Sequence, residues 1–335
     1  SAVCEERYPP DSEECQYVQE LEQKAEQGDE SAQFALGSWY AEGRYVKPDY
    51  KLAIKWLEKA GKQGSDFSYF ILGYHYNYGE NFPLSRQKAL EWYRKAAELG
   101  DSSTQEILGD AYMYGDGFPQ NTQLALEWYR RAAAQGLAEA QDAIGVMFMQ
   151  GEGVSQDYQQ ALAWYRKAAR QGLPAAQTHL GIMSAFGRGV AQSDRQAIAW
   201  YRKAAKQDFA KAQYQLGVAY STGRGVPENS RNALKWYLKA AEQGFTPAQL
   251  ALGEIYAHGR QGVPKDNKQA YIWYYMASIY TEKSKDDCSA LIAERNRLKG
   301  TLTPDQLSET YAAFDLIRRK INQSKEAKKI ARKKY

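Results

Sequence analysis

The apolar and small positions of this 335-residue chain fall into two helical patterns that alternate along its length. In one, Ala176, Leu180 and Ser184 recur four apart and share a face of a first helix, called A. In the other, Ala197, Trp200 and Ala204 recur three and four apart on a second helix, called B. The A pattern reads Ala-x-x-x-(Leu/Ile)-Gly-x-x-aromatic, with its glycines at Gly37, Gly73, Gly109, Gly145, Gly181, Gly217 and Gly253. The B pattern reads Trp92-Tyr93-Arg94-Lys95-Ala96-Ala97 and closes at Gly100. Its tryptophans are Trp56, Trp92, Trp128, Trp164, Trp200, Trp236 and Trp273, spaced by five intervals of 36 residues and one of 37. A stride of this size marks one supersecondary unit repeated along the chain, and such helix pairs bury their apolar faces only by stacking.

The polar positions punctuate the same units. Seven residues before each tryptophan stands Asp49, Ser85, Asn121, Asp157, Ser193, Asn229 or Asp266. Each can accept a hydrogen bond from an N–H of the first helical turn, so all seven read as N-caps of helix B. Gly64, Gly100, Gly136, Gly172 and Gly244 stand where helix B should end, and Asp208 replaces the glycine once. Between A and B runs a Gly-x-Gly turn, as at Gly115/Gly117 and Gly151/Gly153. Tyr45 and Asn81 take the second glycine's place in the first two repeats, so those turns are expected to differ. The alanines and the helix A glycine are expected to let helices approach, and the tryptophan to fill the gap between layers.

The Ala-x-x-x-Leu-Gly-x-x-Tyr-x-x-Gly-x-Gly segment followed by Ala-x-x-Trp-Tyr-x-Lys-Ala-Ala-x-x-Gly resembles the Sel1-like repeat family, a relative of the tetratricopeptide repeats. The resemblance covers roughly residues 28–280. It implies an all-α fold, a right-handed α-solenoid of about seven repeats whose A helices line a concave side. Residues 1–27 form an N-terminal segment with a capping helix over 14–27, residues 28–280 the seven repeats, and residues 281–335 C-terminal capping helices with a basic tail. Those last helices are expected over 286–299 and from 304 to about 330, the second opened by Thr303, Pro304 and Gln306.

On helix A, the positions three before, one after and four after the glycine are expected to face the concave side. They read Phe34, Ser38, Ala41; Phe70, Tyr74, Asn77; Glu106, Asp110, Met113; Asp142, Val146, Met149; Thr178, Ile182, Ala185; Tyr214, Val218, Ser221; and Leu250, Glu254, Ala257. This is an apolar and aromatic stripe interrupted by acids, and exposed apolar surface of that kind marks interaction sites. The pattern favours partner binding for Phe34, Phe70, Tyr74, Met113 and Tyr214. For Val146, Ile182 and Val218, packing between A helices accounts for the pattern equally well. Repeat two drifts furthest from its siblings, crowding Phe67, Tyr69, Phe70, Tyr74, His75, Tyr76 and Tyr78 onto one helix. It reads as a recognition spot or as compensation for its odd turn.

Charge is uneven. Residues 318–335 carry nine Lys or Arg against one Glu, whereas the whole chain is net +4, leaving the rest net −4. The favoured reading of this tail is a solvated terminus; the alternative is contact with an anionic surface. The acidic body argues against nucleic-acid binding. No apolar run approaches the ~20 residues needed to span a bilayer. The chain opens at Ser1 without an initiator methionine or a signal-like apolar stretch, as a processed or trimmed chain would. A Cys4–Cys15 disulfide would fix the N-terminus and suits an oxidising compartment, the alternative being two reduced thiols. With the resemblance to a largely bacterial and often exported family, it points to the periplasm.

Candidate chemistry is sparse. His75, His179 and His258 lie repeats apart, no metal or cofactor motif is present, and no cofactor is expected. Some cysteine-rich members of the family are associated with β-lactam hydrolysis, and Ser85-Arg86-Gln87-Lys88 matches Ser-x-x-Lys. Ser85 is better explained as an N-cap, and the accompanying Ser-Asp-Asn and Lys-Thr-Gly motifs are missing. The resulting expectation is a non-catalytic solenoid that binds another protein. The resemblance implies a periplasmic immunity protein neutralising a secreted effector such as a phospholipase, or an envelope assembly or signalling scaffold.

Overall fold

The computed structural model describes residue 4 and residues 7–260, 262–281 and 288–333. Among these residues the regular structure is helical throughout: α1 (Glu13–Glu26), α2 (Glu30–Glu42), α3 (Tyr50–Lys62), α4 (Asp66–Tyr78), α5 (Arg86–Glu98), α6 (Ser102–Tyr114), α7 (Thr122–Ala134), α8 (Ala138–Gln150), α9 (Tyr158–Arg170), α10 (Pro174–Phe186), α11 (Asp194–Ala205), α12 (Ala210–Thr222), α13 (Ser230–Ala241), α14 (Thr246–His258), α15 (Asn267–Thr281), α16 (Ser289–Lys299) and α17 (Pro304–Lys333). This is the all-α solenoid that the periodicity predicts, with α2 to α15 alternating as A and B helices. None of the described helices is long and apolar enough to cross a membrane. The expected helix start at residues 286–287 lies outside the described residues.

The chain forms two compact units, residues 1–168 and 169–335. In the first, α1 to α8 pack on one another in chain order, with Cys4 bonded to Cys15 at the head of α1. In the second, α10 to α16 do the same, and α17 lies on α15.

The polar punctuation does what its chemistry predicts. The side chains of Asp49, Ser85, Asn121, Asp157, Ser193, Asn229 and Asp266 each accept a first-turn backbone N–H at 3.0–3.3 Å. Gly64, Gly100, Gly136, Gly172 and Gly244 end the B helices with φ between +86° and +106°. Asp208 holds the same left-handed conformation at φ +59°, a strain relieved locally by its carboxylate, which accepts from Gln213 at 2.9 Å and Gln243 at 3.2 Å. Tyr45 is also left-handed, φ +61°, so the first turn follows the later ones despite lacking the glycine. The second turn does differ: Gly79 is extended, Asn81 donates to the Ala41 carbonyl at 3.0 Å, and Phe82 is buried as a plug.

Two aromatics share the packing. Trp56, Trp128 and Trp273 are buried, and next to the tryptophan Tyr93, Tyr129, Tyr165, Tyr201 and Tyr237 lay their rings on the helix A glycine of the same repeat. A Cβ at Gly145 would stand 2.6 Å from the Tyr165 ring, so the glycine is required for that approach. Trp92, Trp164, Trp200 and Trp236 are only half-buried, each under an ammonium of Lys95, Lys167, Lys203 or Lys239 at 4.4–4.8 Å.

A second internal device was not anticipated. Four residues before the helix A glycine, Gln33, Gln105, Gln141, Gln177, Gln213 and Gln249 are buried. Gln33 donates to the Ala25 carbonyl at 3.1 Å and accepts from Gln63 at 2.8 Å. The pairs Gln105–Gln135, Gln177–Gln207 and Gln213–Gln243 repeat the contact at 2.8–3.1 Å. Gln33, Gln105, Gln141 and Gln249 satisfy carbonyls at the end of the preceding helix, which burial would otherwise leave unpaired at a cost of about 1–3 kcal/mol each, whereas Gln213 donates to the Asp208 carboxylate.

At the C-terminal end Thr303 and Gln306 form the reciprocal capping box that opens α17, with bonds of 2.9 and 3.2 Å. Phe314 stacks on Tyr275 at 4.1 Å, and Ile321 covers Gly244. The basic part of this helix is partly docked: Lys320 pairs with Glu242 at 2.8 Å and Lys328 donates to Gln243 at 2.7 Å. Residues 334–335 lie outside the described residues.

Candidate functional site

The residues expected on the open face of helix A separate by their helical angle. Residues three before and one after the glycine are half-buried at Phe34, Ser38, Phe70, Tyr74, Glu106, Asp110, Asp142 and Val146 in the first unit. The position four after it turns inward in several repeats. Met113 is 4% exposed, packed in a core with Leu126, Tyr129, Ile144 and Met147, and Ala41 is likewise buried. Met113 is therefore a core residue and is corrected from the expected binding set. Asn77 and Met149 stay half-buried, and Asn77 donates to the Tyr93 hydroxyl at 3.4 Å.

The open row instead takes the position five after the glycine. Four residues beyond Tyr74 comes Tyr78, 56% exposed, and four beyond Asp110 comes Tyr114, 73% exposed. At the other end of α4, seven residues before Tyr74 and so almost two full turns away, Phe67 is 54% exposed. Along α4 the row thus reads Phe67, Phe70, Tyr74, Tyr78. Its rings touch: Phe34 with Phe67 at 5.5 Å, Phe67 with Phe70 at 5.9 Å and Tyr74 with Tyr78 at 5.3 Å. The other aromatics crowded onto α4 face inward, for Tyr69, His75 and Tyr76 are buried. Tyr114 was missed from the sequence, and the signal for it was the four-residue step that already links Tyr74 to Tyr78.

Carboxylates gather beside this aromatic row on α6. Asp110 accepts the Tyr129 hydroxyl at 2.5 Å, so this acid also serves the repeat's own packing. Burial first, then Asp110, push the Tyr129 hydroxyl far above the ordinary tyrosine range. The Tyr114 hydroxyl is raised by partial burial and next by the nearby charges of Asp110, Glu152 and Glu106. Asp142 acts likewise on Tyr165, after burial.

In the second unit Ile182, Tyr214, Val218 and Leu250 are half-buried, Thr178 and Ala257 are buried, and Phe186 is exposed with Arg188 over its ring at 5.1 Å. Tyr214 leans on Tyr237 at 5.7 Å and Phe245 at 5.4 Å, and Glu254 is exposed but paired with Arg260 at 2.8 Å.

The described residues contain no group of three or more His, Cys, Asp or Glu arranged to hold a metal. Ser85 is occupied as the cap of α5, accepting from the Lys88 N–H at 3.3 Å, and the Lys88 ammonium lies 5.8 Å over the Tyr76 ring. Within the Ser-x-x-Lys match the serine thus caps the start of α5 and the lysine rests over a ring.

His75 supports the row from beneath. Its imidazole stacks on Phe82 at 5.2 Å, its Nδ1 is buried with no hydrogen-bond partner, and burial lowers its pKa. The unfolded chain therefore binds the extra proton first, and the stability contributed by neutral His75 is present above the ordinary histidine pKa of 6.5 and lost as pH falls below it. The native chain is expected to lose thermal stability between about pH 7 and about pH 5, and His75→Phe to lose less of it. Thermal melts of both chains across that range test this; equal losses would contradict it.

The Sel1 repeat family model matches seven consecutive segments, residues 30–65, 67–101, 102–137, 138–173, 174–209, 210–245 and 246–278. Among solved structures, the chain is similar to a Sel1 repeat protein from Oxalobacter formigenes, with 33% identity, coverage of 88% of this chain and 84% of that one, and a TM-score of 0.71. It is also similar to a protective antigen present in uropathogenic Escherichia coli strains, at 27% identity, 91% and 87% coverage and a TM-score of 0.46. An immunity protein from Pseudomonas aeruginosa matches at 21% identity, 66% and 83% coverage and a TM-score of 0.49. The comparison with curated proteins matches none of them.

Proposed function

The chain belongs to the Sel1 repeat family, and from that premise we propose that it is a non-catalytic binding protein that holds a partner protein on the A-helix face of its first unit. Sel1 repeats build a protein-interaction fold, so the question is where on this copy the partner sits. The observation that supports the first unit is the exposure of three large aromatics, Phe67, Tyr78 and Tyr114, beside half-buried Phe34, Phe70 and Tyr74. Aromatic side chains left in water by folding but backed by ordered rings are good anchors, because little conformational entropy remains to be lost when a partner covers them.

The finer role follows from the partner's identity. We favour a periplasmic immunity protein, since neutralising a secreted enzyme such as a phospholipase requires only a shaped surface that occludes it. An envelope assembly or signalling scaffold would use the same face on a different partner. Affinity capture from the source organism's cell envelope tests the reading, comparing the native chain with a Phe67→Ala/Tyr78→Ala/Tyr114→Ala variant. One dominant partner, held by the native chain and lost by the variant, is the expected result; a toxic enzyme would assign immunity, and a biogenesis factor would assign the scaffold. Equal capture by both chains would move the interface off this face.

A further inference from the structure

The open row of the first unit is selective in charge as well as apolar. In each of α2, α4, α6 and α8 it runs through the positions six and three before and one and five after the glycine. These sixteen positions hold five carboxylates, Glu42, Glu106, Asp110, Glu139 and Asp142, and not one lysine or arginine. The chain as a whole carries 44 Lys and Arg against 40 Asp and Glu, so the exclusion of cations from this row runs against its composition. The B helices, by contrast, place Lys or Arg over their tryptophans in repeat after repeat. Among the helices α2 to α8 the lysines and arginines thus stand only on the B helices, where Glu58 and Glu98 pair with them, while the A helices carry acids and open rings without cations.

The carboxylates of α6 and α8 adjoin the aromatics of α4, and the two meet at Tyr114. Tyr114 is open to solvent, with Glu106, Asp110 and Glu152 close enough to act on its hydroxyl. A cation set over such a ring gains from the ring face and from the acids at its edge together. On α4, where the row carries no charge, Phe67, Phe70, Tyr74 and Tyr78 offer only ring surface.

We propose that this face recognises a basic amphipathic segment of its protein partner. Its lysine or arginine side chains would lie over Tyr114 beside Glu106 and Glu152, and its apolar side would rest on Phe67, Phe70 and Tyr74. The proposal rests on the protein-binding reading given above and adds the chemistry of the partner's contacting segment. The acids select and steer that segment, and the rings hold it.

The test uses two dye-labelled helical peptides on the full chain: one of arginine and leucine in amphipathic spacing, and its glutamate and leucine counterpart. Binding is read by fluorescence anisotropy at low and at physiological salt. The arginine peptide is expected to bind, and to weaken at higher salt as exposed ion pairs do. It is expected to lose about tenfold in affinity on Glu106→Gln/Glu152→Gln, which keeps the size of each side chain while removing two charges. The glutamate peptide is expected not to bind. Binding of both peptides alike, no binding of the arginine peptide, or arginine-peptide binding indifferent to the two neutral substitutions would each overturn the proposal. The protein-binding reading fails separately, if the captured partner is held equally by the Phe67/Tyr78/Tyr114 variant.

Discussion

Replacing Phe67, Tyr78 and Tyr114 together with alanine is expected to weaken the captured partner's binding by at least about a hundredfold and to leave the fold intact. The three rings are 54%, 56% and 73% exposed, so the free chain depends little on them. Exposed substitutions of this kind usually change stability by no more than about 0.5 kcal/mol each. In a complex the same rings would be covered, and truncating a central aromatic anchor costs about 2 kcal/mol or more. Two effective anchors out of three already account for a hundredfold, at about 1.4 kcal/mol per factor of ten. Met113→Ala provides the contrast. It removes a buried side chain, so it is expected to lower the unfolding midpoint while changing affinity little. Titration calorimetry with the purified partner, alongside circular dichroism melts, separates the two classes; a Met113 effect on affinity as large as that of the triple variant would contradict the assignment.

The largest effect on stability is expected at Tyr165 rather than at the tryptophan beside it. Tyr165 is 1% exposed and lies on Gly145, so alanine there empties the space between the two helices of repeat four. A cavity of that size costs about 3–5 kcal/mol, a large share of a domain's net stability. Trp164 is half-buried under the Lys167 ammonium at 4.4 Å, and its removal gives up a partly wet ring and one cation–π contact. Trp164→Ala is therefore expected to cost less, about 1–2 kcal/mol. Urea unfolding of the two variants decides the order. If Trp164→Ala is the more damaging, the tryptophan is the interlayer residue after all.

That comparison also marks the limit of what the linear pattern conveys. The caps were legible because Asp, Ser and Asn at a fixed offset from the tryptophan have one strong use there, and each of the seven makes that bond. The glycine closing helix B was legible for the same reason. Consecutive aromatics are harder: Trp164 and Tyr165 differ by about 100° around the helix, and hydrophobicity does not say which points inward. Composition favours the tryptophan, whereas the glycine beneath favours the flatter, narrower ring of tyrosine. The binding row failed by the same single step, since Met113 and Tyr114 are neighbours and both apolar. Continuing the spacing Phe67, Phe70, Tyr74, Tyr78 into the next repeat would have selected Tyr114. The buried glutamines were not legible at all, because a polar residue reads as exposed until the carbonyls that need it, such as Ala25 for Gln33, are in place.

Hydrogen exchange on the native chain, with and without the captured partner, tests the central claim most directly. If the partner sits on the A-helix face of the first unit, slowed exchange is predicted in α4 and α6, centred on the turns that carry Phe67, Tyr78 and Tyr114. Slowing confined to the B helices or to α17, with α4 and α6 unchanged, would contradict it.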